Sequence, residues 1–211
     1  MPDHALHDNL SRVLTKVQHY RLPDAELYYW PEFIDKLQSL QLISSLETLP
    51  WQQPEIMMFG RKIGIPRRQV WMGDAHCSYR YSGVTFMPEP WTPPVLALTQ
   101  QVNQALSQQF NCVLLNWYAD GSQAMGWHSD DEPELGPSPQ IASLSLGQPR
   151  RFDLQHKHTE AQLQLLLNDG SLLLMAGDCQ QYWQHRLPKQ AKATGARFNL
   201  TFRYIADGNA G

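Results

Sequence analysis

The sequence predicts an α+β fold that is mainly β, a jelly roll (double-stranded β-helix) preceded by N-terminal helices. Three observations carry this. From Phe110 onward about eight short apolar or alternating runs follow one another: NCVLLNWY, MGWHSD, IASLSL, RRFDLQ, AQLQLLL, SLLLMA, YWQHRL and RFNLTFRYI. Turn material separates them, namely Asp120-Gly121, Pro133 to Pro139, Gly147-Gln148-Pro149, Asn168-Asp169-Gly170 and Gly177-Asp178. Helical periodicity is found only before these runs, so closely spaced strands fold as a double sheet and not as a βαβ sheet.

The elements are expected in the following order. Residues 1–30 show little periodicity beyond a short helix around Leu10–His19, and read as a partly ordered arm. Residues 31–211 read as a single domain with its jelly-roll core at about 109–205. Between Pro31 and Trp51, the apolar residues Phe33, Ile34, Leu37, Leu40, Leu42, Ile43 and Leu46 predict an amphipathic helix broken near its middle. A second helix is expected over Val95 to Leu106, after the rigid entry Pro90-Trp91-Thr92-Pro93-Pro94. There is no internal repeat and no low-complexity tract.

Composition bounds the function. The chain is 42% hydrophobic and 18% charged, which excludes wholesale disorder. Cys77, Cys112 and Cys179 are odd in number and have no paired spacing, which argues against a disulfide scaffold and for a reducing compartment. The start, MPDHALHDNL, carries acids where a signal peptide would be basic, and no run approaches the ~18 apolar residues of a membrane span. An intracellular, soluble monomer is expected, cytoplasmic or, in a eukaryote, nuclear.

The net charge of −3 discourages nucleic-acid binding, but the charge is unevenly spread. Residues 57–91 hold Arg61, Lys62, Arg67, Arg68 and Arg80 against Asp74 and Glu89, interleaved with Phe59, Trp71, Tyr79, Tyr81, Phe86 and Trp91. Such a window suits a surface that grips phosphates and stacks bases. It equally suits a solvated basic loop beside core aromatics.

The chemistry sits in the β half. Side chains on a strand share a face every second residue, so His128 and Asp130 in Gly126-Trp127-His128-Ser129-Asp130 should project together as metal ligands. His185, on a later strand, is the third. Two His and one carboxylate form the facial triad of non-haem Fe(II) oxygenases, with positions left for a chelating co-substrate and O₂. By the same alternation Arg197, Asn199, Thr201 and Arg203 share one face, opposite Phe198, Leu200 and Phe202. Two arginines pointing into a sandwich need an anion, whereas on an edge strand they would face water. Asn116 and Tyr118 project together on a preceding strand. His156-Lys157-His158 has similar spacing but lies in a charged turn, and Trp30, Trp51 and Trp117 read as core.

Taken together, Asn116-x-Tyr118, His128-x-Asp130, His185 and Arg197-x5-Arg203 resemble the AlkB family of Fe(II)/2-oxoglutarate dioxygenases. WHSDDEPELG, IASLSLG, WQHRLPK and RFNLTFR are especially similar to its animal DNA-repair members. The likeness runs from about Tyr28 to Tyr204 and includes PWQ at 50–52, FGR at 59–61, PRRQ at 66–69 and the glycine- and tyrosine-bearing segment at 73–83. It implies that His128, Asp130 and His185 hold Fe(II). It also implies that Arg197 pairs with the distal carboxylate of 2-oxoglutarate, helped by Tyr118, Asn199 and Thr201, with Asn116 and Arg203 near the carboxylate that chelates iron.

The implied reaction is oxidative demethylation of 1-methyladenine and 3-methylcytosine in DNA, with formaldehyde, succinate and CO₂ released. A base in a duplex must be flipped out to react. The resemblance further implies a substrate-binding lid at about 55–91. On it, Tyr79 or Tyr81 stacks on the base opposite His128, Phe59-Gly60 forms an intercalating finger, and Arg61, Arg67 and Arg68 contact phosphates. Asp131 and Glu132 lie near the base or its strand. A core Phe59 and a solvated acidic turn at Asp131-Glu132 are the competing readings. Two other functions stay open: an oxygenase acting on RNA, protein or a small molecule, and a non-catalytic module that binds single strands. Strand preference is open too, since the second lid aromatic is Tyr81 where duplex-repair relatives have Phe.

Overall fold

The computed structural model of the chain describes residues 17–58, 61–81 and 84–207, of which 56–58, 61, 79–81 and 84–86 are described by backbone alone. The chain begins with strands β1 (Gln18–Leu22) and β2 (Ala25–Trp30), then helix α1 (Lys36–Leu46). Two short antiparallel pairs flank a longer strand: β3 (Glu55–Met58) with β4 (Arg61–Gly64), then β5 (Arg68–Gly73), then β6 (Tyr79–Tyr81) with β7 (Val84–Phe86). Helix α2 (Pro93–Leu106) leads into β8 (Cys112–Tyr118), β9 (Met125–His128), β10 (Ile141–Gly147), β11 (Arg150–His156), β12 (Gln162–Leu167) and β13 (Ser171–Ala176). A one-turn helix α3 (Cys179–Tyr182) precedes β14 (Trp183–Leu187) and β15 (Arg197–Arg203).

The strands form two antiparallel sheets. The larger has seven strands in the order β1-β2-β13-β10-β15-β8-β5, and the smaller has four in the order β12-β11-β14-β9. All eight runs read from the sequence after Phe110 are strands, and the two sheets face each other as the jelly-roll expectation requires.

Strand alternation sorts the core into two layers. Phe198, Leu200 and Phe202 of β15 point away from the smaller sheet into an apolar layer with Val113 and Leu115 of β8, Leu42 and Leu46 of α1, and Val95, Leu98 and Val102 of α2. The opposite layer, between the sheets, holds Leu27, Tyr29, Ile141, Phe152, Leu154, Leu165, Met175 and Trp183. The helices therefore cover the outer face of the large sheet, and the inner face is left for the site.

Local sequence accounts for the helices. Asp35 caps α1 by accepting from the Gln38 N–H at 2.8 Å. In α2, Pro93 and Pro94 occupy the first turn, where no N–H is needed, and Val95, Leu98, Thr99 and Val102 bury one stripe at helical spacing. The helix stops at Ser107, which adopts a left-handed conformation with φ 53°.

Three expectations need correction. The predicted helix around Leu10–His19 lies largely outside the described residues, but its end does not: His19 is in strand β1. Residues 25–30 are not an arm, because β2 pairs with β13 in the large sheet and buries Ala25, Leu27, Tyr29 and Trp30. The alternation in Ala-Glu-Leu-Tyr-Tyr-Trp carries this pairing, and the Pro23-Asp24 turn, with Asp24 at φ 58°, returns the chain from β1. The helix after Pro31 is not broken either. It is one continuous segment, and Phe33 and Ile34 precede it, with their N–H groups bonded to Gly170 O.

Candidate functional site

One cavity opens between the sheets. Its floor is the inner face of the large sheet, where β15 contributes Arg197, Asn199, Thr201 and Arg203, and β8 contributes Leu114, Asn116 and Tyr118. The smaller sheet faces it with Met125, His128, Phe152, His185 and Leu187. The arginine strand is central, between β10 and β8, so its polar face is buried and does not meet water.

His128 and His185 are directly opposite each other across the β9–β14 pairing, with ring centroids 4.3 Å apart. The Nδ1 of His128 is 2.9 Å from Gly126 O, and since a carbonyl only accepts, that nitrogen carries the proton and Nε2 faces the cavity. Asp130 does not continue the strand: β9 ends at His128. The carboxylate is placed by contacts. Its own N–H donates to Gln180 Oε1 at 2.9 Å, and the neighbouring Ser129 hydroxyl donates to Trp183 O at 2.9 Å. The Arg203 Nη2 then donates to Asp130 Oδ1 at 2.5 Å. The possible ligand atoms of His128, Asp130 and His185 all lie within 4.8 Å of one another.

The protonation states suit a cation. Burial opposes ionisation of Asp130, but the Arg203 guanidinium beside it outweighs that and holds the carboxyl below its ordinary range. Burial, reinforced by His128, pulls His185 down to about 3, so the imidazole is neutral, as a metal ligand must be. His185 Nδ1 has no hydrogen-bond partner, and Nε2 lies 3.8 Å from Asp130 Oδ2, beyond hydrogen-bond range. Two imidazoles and one carboxylate converging on one point are the donor set of a non-haem Fe(II) centre.

The other end of the cavity suits an anion. Arg197 is 2% exposed. Its Nη2 donates to Ser145 Oγ at 2.9 Å, its guanidinium carbon lies 5.6 Å from the Tyr118 ring centroid, and its Nε has no partner. No carboxylate pairs with it among the described residues, and burial draws its pKa down to about 10. A buried guanidinium in that state is strongly stabilised by a carboxylate, ideally a bidentate one. Asn199 donates to Ser143 Oγ at 2.8 Å, and Thr201 donates to Asn199 Oδ1 at 3.2 Å, so this polar row is ordered in advance. A dicarboxylate spanning from Arg197 to the His-Asp-His cluster fits the donors present.

The other sequence-predicted residues are placed as follows. Arg67 is not a surface phosphate contact. It is buried in the cavity wall and donates from Nε to Asn116 Oδ1 at 2.8 Å, because the turn after Pro66 directs it under β8. Asp131 and Glu132 part company. Asp131 points outward to Lys157 at 3.6 Å, with its side chain 61% exposed. Glu132 lines the cavity, and its Oε2 has no partner among the described residues. Burial raises the Glu132 pKa. Arg68 lies over the Trp117 ring at 5.0 Å. Phe59 and Gly60 lie outside the described residues, and the side chains of Arg61, Tyr79 and Tyr81 do as well.

Several residues that line the cavity or hold its side chains were not read from the sequence. Ser143 and Ser145 carry a usable signal, since IASLSLG alternates and β10 lies beside β15. Gln69, Met175 and Gln180 carry none, because nothing local marks their partners.

Residues 26–203 match the 2OG-Fe(II) oxygenase superfamily. The chain is 40% identical over 158 residues to DNA oxidative demethylase ALKBH2 of Homo sapiens, covering 71% of this chain and 60% of that protein. It is 34% identical over 209 residues to the Arabidopsis thaliana protein of the same name, covering 86% of this chain and 67% of that one. The chain belongs to the AlkB family of Fe(II)/2-oxoglutarate dioxygenases. Another AlkB relative, alpha-ketoglutarate-dependent dioxygenase alkB homolog 3 of Mus musculus, is 35% identical over 187 residues, covering 83% of this chain and 65% of that one. The chain thus spans less than two thirds of the human and mouse AlkB relatives it matches. The fold is also that of the solved structure of OsALKBH1, with a TM-score of 0.60 at 19% identity, covering 89% of this chain and 99% of that one. Among the described residues no helix is long and apolar enough to cross a membrane.

Proposed function

We propose that the chain is an Fe(II)- and 2-oxoglutarate-dependent dioxygenase that removes methyl groups from N-alkylated bases, 1-methyladenine and 3-methylcytosine, in DNA. The observation that carries the oxygenase reading is the pairing, in one cavity, of the His128-Asp130-His185 cluster with a buried Arg197 whose Nε has no hydrogen-bond partner and with which no carboxylate pairs among the described residues. The relatives named DNA oxidative demethylase support the choice of substrate.

Bound Fe(II), with 2-oxoglutarate as co-substrate, supplies the activation of O₂ that side chains cannot provide alone. The protein's own groups bind, orient and exclude. His128, Asp130 and His185 would hold the metal. Arg203 keeps Asp130 ionised while taking one of its oxygens, leaving Oδ2 toward His185. Arg197 receives the distal carboxylate, and Asn199, Thr201 and Tyr118 bound that end of the cavity. Leu114, Phe152 and Leu187 make the wall apolar, which strengthens these charge contacts by keeping water out. Glu132 faces the cavity as an acceptor for an exocyclic amine and, when ionised, as a counter-charge to an alkylated base. In the net reaction 2-oxoglutarate and O₂ give succinate and CO₂, the methyl group is hydroxylated, and the hydroxymethyl product releases formaldehyde.

In this reading the β3–β4 and β6–β7 pairs belong to the lid, and Phe59, Gly60, Arg61, Tyr79 and Tyr81 take the substrate-contact roles that the resemblance implies. The test is incubation of Fe(II)-loaded protein with 2-oxoglutarate and oligonucleotides carrying either lesion, followed by mass spectrometry. Loss of one methylene mass per lesion, absent in His128→Ala, is the expected result. Decarboxylation of 2-oxoglutarate without demethylation would move the reading to another substrate.

A further inference from the structure

Arg150 is 0% exposed and plays no part in the cavity described above. Among the described residues it pairs with no carboxylate. Its donors go to neutral acceptors: Nη1 to Asp120 O at 3.0 Å, Nη2 to Gln123 O at 2.9 Å and to Pro188 O at 2.8 Å, and Nε to Gln190 Oε1 at 3.2 Å. These acceptors belong to two loops. Residues 119–124 join Tyr118 of β8 to Met125 of β9, and residues 188–196 join Leu187 of β14 to Arg197 of β15. All four of those strand-end residues line the cavity.

The loops also bond directly. The Gly121 N–H donates to Ala193 O at 2.6 Å and the Gln190 N–H to Gly121 O at 2.9 Å. The approach is so close that a Cβ at Gly121 would collide with Gln190 O, so glycine is required there. Gln190 Oε1 additionally accepts the Arg151 N–H at 2.6 Å.

A fully buried cation without a counter-ion is expensive, and an apolar side chain could fill the same space. What an apolar side chain cannot do is tie three carbonyls and one amide, drawn from two loops, into one plane. A guanidinium fork can, because its five donors are fixed relative to one another. We propose that Arg150 is a positioning residue for 2-oxoglutarate, clamping the two loops that close the Arg197 end of the cavity. This rests on the co-substrate reading above.

The test uses Mn(II)-loaded protein, which binds 2-oxoglutarate without turnover. Calorimetry measures Mn(II) and 2-oxoglutarate affinities for wild type, Arg150→Met and Arg150→Lys, and hydrogen exchange follows residues 119–124 and 188–196. Arg150→Met is expected to weaken 2-oxoglutarate binding by ~10–100-fold, the usual effect of removing a residue that orients a ligand-binding group. Mn(II) affinity should stay unchanged, and exchange should quicken in the two loops alone. Arg150→Lys should behave like Arg150→Met, because one ammonium cannot span all the acceptors. If Arg150→Met does not fold, Gln190→Leu removes one acceptor of the clamp and should give the same selective loss in milder form.

Unchanged 2-oxoglutarate affinity overturns the proposal. So does a parallel loss of Mn(II) affinity, which would mark general disruption, and so does full rescue by lysine, which would mark charge without clamping. If wild type itself fails to bind 2-oxoglutarate, the co-substrate reading falls and takes this role of Arg150 with it. The exchange data then report separately whether Arg150 holds the loops.

Discussion

Strands β15 and β9 both deliver side chains to the same cavity, by opposite means. β15 is central in the seven-stranded sheet and buried along its whole length, so backbone alternation alone assigns Arg197, Asn199, Thr201 and Arg203 to the cavity and Phe198, Leu200 and Phe202 to the core. β9 is an edge strand of four residues that ends at His128, and Asp130 reaches the cluster only because Gln180, Ser129 and Arg203 hold it there. The anion end of the site is thus built by periodicity, and the metal end by tertiary contacts. The two ends should fail differently when perturbed.

The largest effect should come from removing the carboxylate itself. Asp130→Ala removes the only carboxylate of the ligand cluster and the acceptor of Arg203 Nη2, and turnover should fall to that of metal-free protein. Metal titration followed by a succinate assay checks this. If the variant retained substantial iron-dependent activity, the ligand assignment would be wrong.

Arg197→Met comes next and separates the two ends. Truncating one partner of a buried, hydrogen-bonded charge pair costs about 2–5 kcal/mol, so 2-oxoglutarate affinity should drop at least ~30-fold. Metal affinity should be retained. Without co-substrate the variant should melt at or above the wild-type temperature, because it no longer buries an unpaired charge. A marked fall in melting temperature of the co-substrate-free variant would show instead that Arg197 serves the fold.

Gln180→Leu should do the reverse. It strips the acceptor from the Asp130 N–H and costs about 1–3 kcal/mol for the buried donor left unsatisfied. Metal affinity should fall by ~10–100-fold, with the affinity of the metal-loaded form for 2-oxoglutarate little changed. Equal losses at both ends would erase the distinction drawn here.

The smallest effect belongs to Asp131→Asn. Its exposed pair with Lys157 is worth about 0–1 kcal/mol, and the side chain does not line the cavity, so stability and turnover should both stay near wild type. Glu132→Gln, one residue on, should lower turnover on the cationic lesions, a contrast readable in parallel assays.

This division also explains what could be read from the sequence. The eight strands after Phe110, the helix expected over Val95 to Leu106 and the polar face of β15 follow from local periodicity, which needs no partner. His128 and His185 were legible because they too lie on strands. Asp130 does lie beside the two histidines, but the strand argument that predicts it does not apply, since the strand stops two residues earlier. The roles of Gln180, Arg67 and Arg150 could not be found that way: they act through partners 50, 49 and 27 to 40 residues away in the chain, respectively, and no local pattern encodes that distance. The first two strands were missed for a related reason. Ala25–Trp30 alternates and forms a hairpin with β1, but that hairpin joins the sheet only through β13, far along the chain, and without that pairing it looks like an arm.

The most direct measurement of the central claim is the coupling between the two ends. Succinate and formaldehyde should be quantified together during turnover on single-stranded DNA carrying 1-methyladenine. Equal amounts of the two products, both lost in Asp130→Ala, are predicted if one cavity holds the metal, the co-substrate and the base. Succinate formed at an undiminished rate with no formaldehyde would contradict it, leaving an oxygenase whose substrate is not a methylated base.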